Sequence, residues 1–309
     1  MKIIITEVMD SQSVKSLGER FDVVYDPKLY EAEEDVKRLL QDADGLIVKE
    51  RTKVTRELIG NAPRLRVVGR LGAGLDNIDV AACRTQGIKV VVAAGANAIS
   101  VAEYVMCTAL MMARPGAYGV TENIREGHWP QEKARQGREL AGKTFGILGF
   151  GNVGKRIAIL ANAFGMDVLV WAPTKSGDDP AFSKHSVRSV ALEHLLGASD
   201  VVSVNVPLNA QTRRLLDRDR IAAMKKGATL INTARGEVVD EAALVEALKN
   251  GHLAGAAIDV FAREPLGPVS VFSAVPNLIL SPHIAGGTVE STQRRGSMIA
   301  DAVSEALSV

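Results

Sequence analysis

Cysteine is almost absent. Cys83 and Cys107 are the two in 309 residues, and neither stands in a metal or redox spacing. That excludes a disulfide framework, and a reduced, cytoplasmic compartment fits best. Neither sign of charge is in excess, with 37 Lys and Arg against 36 Asp and Glu, so composition gives no reason to expect nucleic acid or an anionic membrane as partner. Long hydrophobic runs are missing too. Stretches such as Val90 to Ala94 fall far short of the roughly 20 residues of a bilayer-spanning helix. The N-terminus enters the strand-like Lys2-Ile3-Ile4-Ile5-Thr6 directly, without the basic, apolar and cleavage regions of a signal peptide. Histidine occurs five times without any metal-ligand cluster, so chemistry without a metal is expected.

Apolar residues make up 47 % of the chain, ample for sizeable cores, and its length suits about two domains. Short β-rich runs alternate with helical patterns. Ile3–Thr6, Val23–Tyr25, Leu46–Val48, Val67–Gly69 and Lys89–Val92 read as a first series of strands. Thr144–Leu148, Asp167–Trp171, Val201–Val204, Thr229–Asn232, Gly255–Asp259 and Leu278–Leu280 read as a second. This alternation predicts an α/β fold with two parallel sheets, each covered by helices on both faces. The stretch from Ile99 to Arg114 has a long helical pattern that leads from one domain to the other. A further helical pattern covers Thr288 to Val309. If that last helix returns to the first domain, the chain crosses twice and leaves a cleft between the domains. The expected division is 1–98 plus 286–309 for one domain and 99–285 for the other.

Gly149-Phe150-Gly151-Asn152-Val153-Gly154 matches G-x-G-x-x-G between a predicted strand and a predicted helix. In that context it is a dinucleotide-binding fingerprint. Gly149 permits the tight turn, and Gly151 lets the backbone approach a pyrophosphate at the helix N-terminus. Gly154 lets helix and strand pack closely. The Leu71-Gly72-Ala73-Gly74 turn can expose successive N–H groups as an anion-binding nest, or simply be a tight turn after a strand.

Three further segments make the chain resemble the D-isomer-specific 2-hydroxyacid dehydrogenases. They are Leu230-Ile231-Asn232-Thr233-Ala234-Arg235-Gly236-Glu237-Val238-Val239-Asp240, Ala257-Ile258-Asp259-Val260-Phe261-Ala262-Arg263-Glu264-Pro265-Leu266 and Ser281-Pro282-His283-Ile284-Ala285-Gly286. The likeness extends over nearly all of the chain and is nearest to the phosphoglycerate dehydrogenase branch, without that branch's frequent C-terminal regulatory domain. It implies that the domain formed by 1–98 and 286–309 binds substrate and that 99–285 binds NAD or NADP.

By this resemblance Arg235, Glu264 and His283 are the catalytic residues. An imidazole titrates near neutrality and suits proton transfer at the substrate oxygen. A carboxylate beside it favours the imidazolium and orients the ring. A guanidinium offers two parallel donors to a carboxylate or carbonyl oxygen. The resemblance places cofactor contacts at Gly149, Gly151, Asn152, Val153, Gly154, Ala172, Thr174, Lys175, Pro207, Thr212, Thr233, Ala234, Asp259 and His283. It places substrate contacts at Ala73, Gly74, Asn97, Arg235 and His283. Lys49 stands where the phosphoglycerate relatives resemble Val-Arg-Ser, whose Arg is expected to meet the distal anion; here Lys49 or Arg51 can do so, although Glu50 adds a negative charge nearby. Plain solvated surface charge is the alternative there.

Ala172 falls where NAD-preferring relatives carry an acid for the ribose hydroxyls. Its absence removes the repulsion toward a 2′-phosphate, and Thr174, Lys175 and Ser176 can supply donors, so the lean is toward NADP. The helix from Ile99 and the loop after it resemble the family's dimerising region, which implies a homodimer. The expected activity is hydride transfer between a nicotinamide dinucleotide and a small 2-hydroxyacid or 2-oxoacid. Glycerate with hydroxypyruvate, phosphoglycerate and sulfolactate are the candidate substrates. The rival readings are a non-catalytic regulator similar to the C-terminal binding protein corepressors and, more distantly, dehydrogenation of formate or phosphite.

Overall fold

A computed structural model describes residues 1–308. Contacts divide the chain into two units, Met1–Asn97 joined by the segment from Gly287, and Ala98–Gly286. The first holds five strands: β1 (Lys2–Ile5), β2 (Asp22–Tyr25), β3 (Gly45–Val48), β4 (Val67–Arg70) and β5 (Lys89–Val92). All pair in parallel, in the order β2-β1-β3-β4-β5. This is the flavodoxin-like arrangement, whose binding crevice lies at the carboxyl ends of the strands.

Parallel strands covered on both faces bury both sets of alternating side chains. Ile4, Leu46, Val48 and Val68 point into one core. Ile3, Ile5, Ile47 and Val67 point into the other, together with Ile299, Val303 and Leu307 of the helix Val289–Ser308. That helix packs on β3, β4 and β5 and on the helix Ser11–Gly18. The helical pattern expected over Thr288 to Val309 is therefore a helix of this unit, with Val309 outside the described residues.

The second unit holds seven strands: β6 (Thr144–Leu148), β7 (Asp167–Trp171), β8 (Arg188–Ser189), β9 (Val201–Val204), β10 (Thr229–Asn232), β11 (Gly255–Ile258) and β12 (Leu278–Leu280). They run parallel in the order β12-β11-β10-β9-β6-β7-β8. The order reverses at β6, the topological switch point of a dinucleotide fold. Phe145, Ile147, Val168 and Val170 pack beneath the helices Ala98–Ala113 and Asn152–Ala163. Leu148, Leu169, Val202, Val204 and Leu230 fill the opposite face. The short strand β8 was not foreseen, because two residues carry no periodicity. Among the described residues no helix is long and apolar enough to cross a membrane.

Gly69 in β4 shows why the last helix fits so closely. A Cβ there would lie 2.8 Å from Ile299 Cγ2 and 2.9 Å from Val303 Cγ2. Gly69→Val should cost about 1–3 kcal/mol through overpacking. Differential scanning calorimetry should show the unit containing β1–β5 melting at a lower temperature than in wild type. An unchanged melting profile would mean that the helix yields without cost.

Candidate active site

Arg235, Glu264 and His283 are far apart in sequence, but they follow three neighbouring strands. Arg235 comes three residues after β10, Glu264 six after β11 and His283 three after β12. Because β10, β11 and β12 are adjacent and parallel, their carboxyl ends deliver all three loops to one edge.

Backbone contact locks the first two loops together. A Cβ on Gly236 would lie 1.9 Å from the Phe261 carbonyl carbon and 2.1 Å from Ala262 N. Only glycine lets the Arg235 turn lie directly on the loop that carries Glu264. Asn232 shapes the same turn. Its amide donates to Arg235 O at 3.0 Å, and its carbonyl accepts from Ala234 N at 3.0 Å. Arg235 Nη1 donates to Ala234 O at 2.6 Å. From the following helix, Glu241 accepts from Ala262 N at 2.7 Å.

Asp259 fixes the third loop. It is 1 % exposed. Oδ1 accepts from Ser281 Oγ at 2.6 Å and Ile284 N at 2.8 Å, while Oδ2 accepts from Ala285 N at 2.8 Å. A carboxylate has about four acceptor positions, so one remains. His283 N adds a bond to Asp259 O at 2.8 Å, and the Tyr104 and Ser281 hydroxyls meet at 2.5 Å. These bonds hold His283 in the left-handed region, φ 57°. That conformation costs a non-glycine residue about 1–3 kcal/mol and is tolerated where surrounding contacts determine it.

His283 Nδ1 donates to Glu264 Oε2 at 2.8 Å, and Phe261 N donates to Oε1 at 3.0 Å. A carboxylate only accepts, so Nδ1 carries the proton and Nε2 is the second ring position. Burial pushes the Glu264 carboxyl upward. The hydrogen bonds from His283 and Phe261 and the positive charges of His283 and Arg235 outweigh this, holding it below its ordinary value. Its contribution to stability is complete above the unfolded value near ~4.3 and is lost as pH falls through the lowered folded value.

The glycine turn also fits a dinucleotide. Gly149 has φ 96°, and a Cβ there would lie 2.7 Å from Asn205 O. A Cβ on Gly154 would lie 2.2 Å from Gly149 O, whereas one on Gly151 would meet nothing within 4 Å. The helix that begins with Asn152 and Val153 has no side-chain cap. Its first N–H groups therefore face open space beside Gly151, as an anion site requires.

Ala172 is buried at the end of β7, and Thr174 is exposed. Lys175 Nζ lies 2.6 Å from Asp179 Oδ2. The Lys175 hydrogen bond, the Ala181 N–H and nearby cations hold the Asp179 carboxyl low despite some burial. Sequence reasoning treated Lys175 as a free donor, and this pairing qualifies it. Thr212 Oγ1 donates to Pro207 O at 2.6 Å and shapes the loop after β9. Thr233 is half-buried and Ala234 buried just beyond β10.

The first unit, by itself, holds another constellation at the carboxyl ends of β1, β3 and β4. Glu7, 3 % exposed, accepts from four backbone N–H groups: Lys49 at 2.8 Å, Glu50 at 3.1 Å, Arg51 at 2.9 Å and Thr52 at 3.0 Å. Asn77 holds the loop from the other side through the Lys49 and Thr52 carbonyls, at 3.1 and 2.7 Å. Lys49 Nζ pairs with Glu50 Oε1 at 2.8 Å, and the Arg51 guanidinium lies 5.8 Å from the Tyr30 ring centre. Ala73 is exposed and Gly74 half-buried, and no described residue accepts from their N–H groups. The Arg70 guanidinium fills the space under Gly72, where a Cβ would lie 1.5 Å from Nη1. Asn97 is half-buried at the end of the unit. Glu7, Asn232, Tyr104 and Ser281 were missed as site-shaping residues. Asn232 and Ser281 lie within recognised motifs, whereas Glu7's only signal is an acid directly after an apolar strand.

The model of the D-isomer specific 2-hydroxyacid dehydrogenase NAD-binding domain matches residues 107–285. The chain is 46 % identical to (S)-sulfolactate dehydrogenase of Chromohalobacter salexigens, over 99 % of this chain and 98 % of that one. It is 37 % identical to D-3-phosphoglycerate dehydrogenase of Methanocaldococcus jannaschii over 99 % of this chain but 57 % of that longer protein. The crystal structure of the TT0316 protein from Thermus thermophilus superposes with a TM-score of 0.90 at 33 % identity, covering 100 % of this chain and 97 % of that one.

Proposed function

The chain belongs to the D-isomer specific 2-hydroxyacid dehydrogenases, and from that premise we propose that Arg235, Glu264 and His283 carry its reaction. It is an oxidoreductase acting on CH–OH donors with a nicotinamide cofactor. The cofactor, when bound, gives or takes the hydride. The observation that carries the residue assignment is the convergence of the three side chains, with His283 Nδ1 committed to Glu264.

In the direction of reduction, His283 Nε2 gives its proton to the substrate carbonyl oxygen. In oxidation the neutral ring takes the hydroxyl proton. Glu264 stabilises the charged ring and fixes its orientation. The Arg235 fork holds the substrate carboxylate and polarises the carbonyl oxygen. Gly149, Gly151, Asn152, Val153 and Gly154 would hold the pyrophosphate, and Pro207, Thr212, Thr233 and Ala234 would be further cofactor contacts. Asp259 both positions the His283 loop and keeps an acceptor for the carboxamide. Ala73 and Gly74 offer N–H groups to the substrate carboxylate, and Asn97 is a further substrate contact in this reading.

The substrate in this reading is a short 2-oxoacid or 2-hydroxyacid bearing a second anionic group. The relative named for (S)-sulfolactate supports that class. Its S label agrees with D-type geometry, because sulfur raises the naming priority of the CH₂SO₃⁻ arm above the carboxyl.

His283→Ala should lower kcat by a factor of about 10² to 10⁴ with cofactor affinity nearly intact. Glu264→Gln should be milder. Reduction needs a protonated ring, and the amide no longer stabilises that charge, so its rate should fall off at lower pH than in wild type. Steady-state reduction across pH, on variants confirmed to be folded, measures both. A near-wild-type kcat for His283→Ala would remove His283 as the proton carrier.

The absence of an acid at Ala172 supports NADP, with Lys175 as the 2′-phosphate donor once released from Asp179. Asp179→Asn should then lower the KM for NADPH and leave that for NADH nearly constant. Lys175→Ala should raise the KM for NADPH, a change of roughly 1 kcal/mol for a partly exposed charged contact. Equal effects on both cofactors, or a strong wild-type preference for NADH, would remove the NADP assignment.

A further inference from the structure

Arg295 lies on the inner side of the last helix and was singled out by no sequence motif. Its Nε donates to Ser291 O at 3.2 Å, and its Nη2 donates to Ser291 Oγ at 3.4 Å and Thr292 Oγ1 at 3.1 Å. These bonds leave the two N–H groups of Nη1. Among the described residues no carboxylate comes within ion-pair distance of this guanidinium, although it is half-buried. Desolvation pulls its pKa down and Arg294 adds to that effect, while the charge of Glu50 opposes it.

Arg295 and Lys49 line the same small cavity with Val8, Met9, Leu71 and Thr292, all residues of the first unit. Its volume is about 40 Å³. That exceeds the ~10–15 Å³ a single water occupies by the same measure and suits one compact head group. Lys49 spends one N–H on Glu50 and keeps two. Two side chains that line the cavity thus keep four charged N–H donors without an acceptor among the described residues, next to the apolar Met9 and Leu71.

Two further features select the occupant. Lys49 and Arg295 are the two charged side chains that line the cavity, and Glu50, paired with Lys49, offsets one of these two charges. That balance suits a monoanion better than a phosphate, which carries about −1.5 to −2 at neutral pH. Leu71 also stands two residues before Ala73, at most ~7 Å along the chain. That is the scale of a three-carbon acid with an anionic group at each end.

We infer that Arg295, together with Lys49, recognises the distal group of the substrate, and that Glu50 tunes this site for a short monoanionic head, a sulfonate with three acceptor oxygens, over a phosphate. The inference rests on the proposed function, with the substrate carboxylate on Ala73 and Gly74. Arg295 and Glu50 are specificity-determining residues here, while proton transfer belongs to His283.

The test compares kcat/KM for 3-sulfopyruvate, phosphohydroxypyruvate and pyruvate in wild type, Arg295→Met, Arg295→Lys and Glu50→Gln. Wild type should favour 3-sulfopyruvate. Arg295→Met should lower the sulfopyruvate-to-pyruvate ratio by about 10- to 100-fold, the scale of a charge-assisted hydrogen bond. Arg295→Lys should recover part of that loss, which separates lost charge from a damaged fold. Glu50→Gln should raise the phosphohydroxypyruvate-to-sulfopyruvate ratio. Unchanged ratios in a folded Arg295→Met protein overturn the inference and leave the proposed function standing. Reduction of pyruvate without sulfopyruvate does the same. If wild type reduces no 2-oxoacid with either cofactor, the proposed function fails and the inference with it.

Discussion

The buried carboxylate of Asp259 is the interaction on which the rest of the site depends. It sits just beyond β11 and accepts three hydrogen bonds from the loop beyond β12. A charge this deep is costly unless fully paired. Here the pairing is spent on backbone and hydroxyl donors that hold His283 in place. Glu264 then approaches from the β11 side, and Gly236 lets the Arg235 turn lie against the same loop. Fixed backbone, more than any single side-chain contact, sets the geometry of the three side chains we assign to the reaction.

The first unit uses the same device. Glu7 follows β1 and gathers four N–H groups from the loop after its neighbour β3. In both sheets an acid after one strand fastens the loop of the next at the carboxyl edge. Charge-assisted bonds to N–H groups are stronger than neutral ones, which suits loops that must present functional side chains without moving. Lys49 and Arg51 are presented by one such loop and His283 by the other.

Much of this was legible in the sequence. Eleven of the twelve strands stand within a residue of their expected positions because both-face burial writes continuous apolar runs such as Ile3-Ile4-Ile5 and Leu46-Ile47-Val48. Gly149 and Gly154 were readable because steric need leaves no other residue. Arg235, Glu264 and His283 were singled out only through three motifs in order, since a loop His alone carries no signal. Glu7 and Arg295 were not legible. Their meaning comes from partners about 42 residues away in one case and from a shared cavity in the other. Lys175 was legible as a cation but not as a partner of Asp179, which depends on the local path of the chain.

The most direct measurement follows the hydrogen itself. The wild-type protein is given a 2-oxoacid carrying a second anionic group and reduced cofactor deuterated at nicotinamide C4, on each face in turn. The product is read by mass and proton spectroscopy. The account predicts that one labelled face delivers a single deuterium to C2, with the hydroxyl hydrogen coming from solvent. Cofactor that binds without any deuterium reaching C2 would contradict it.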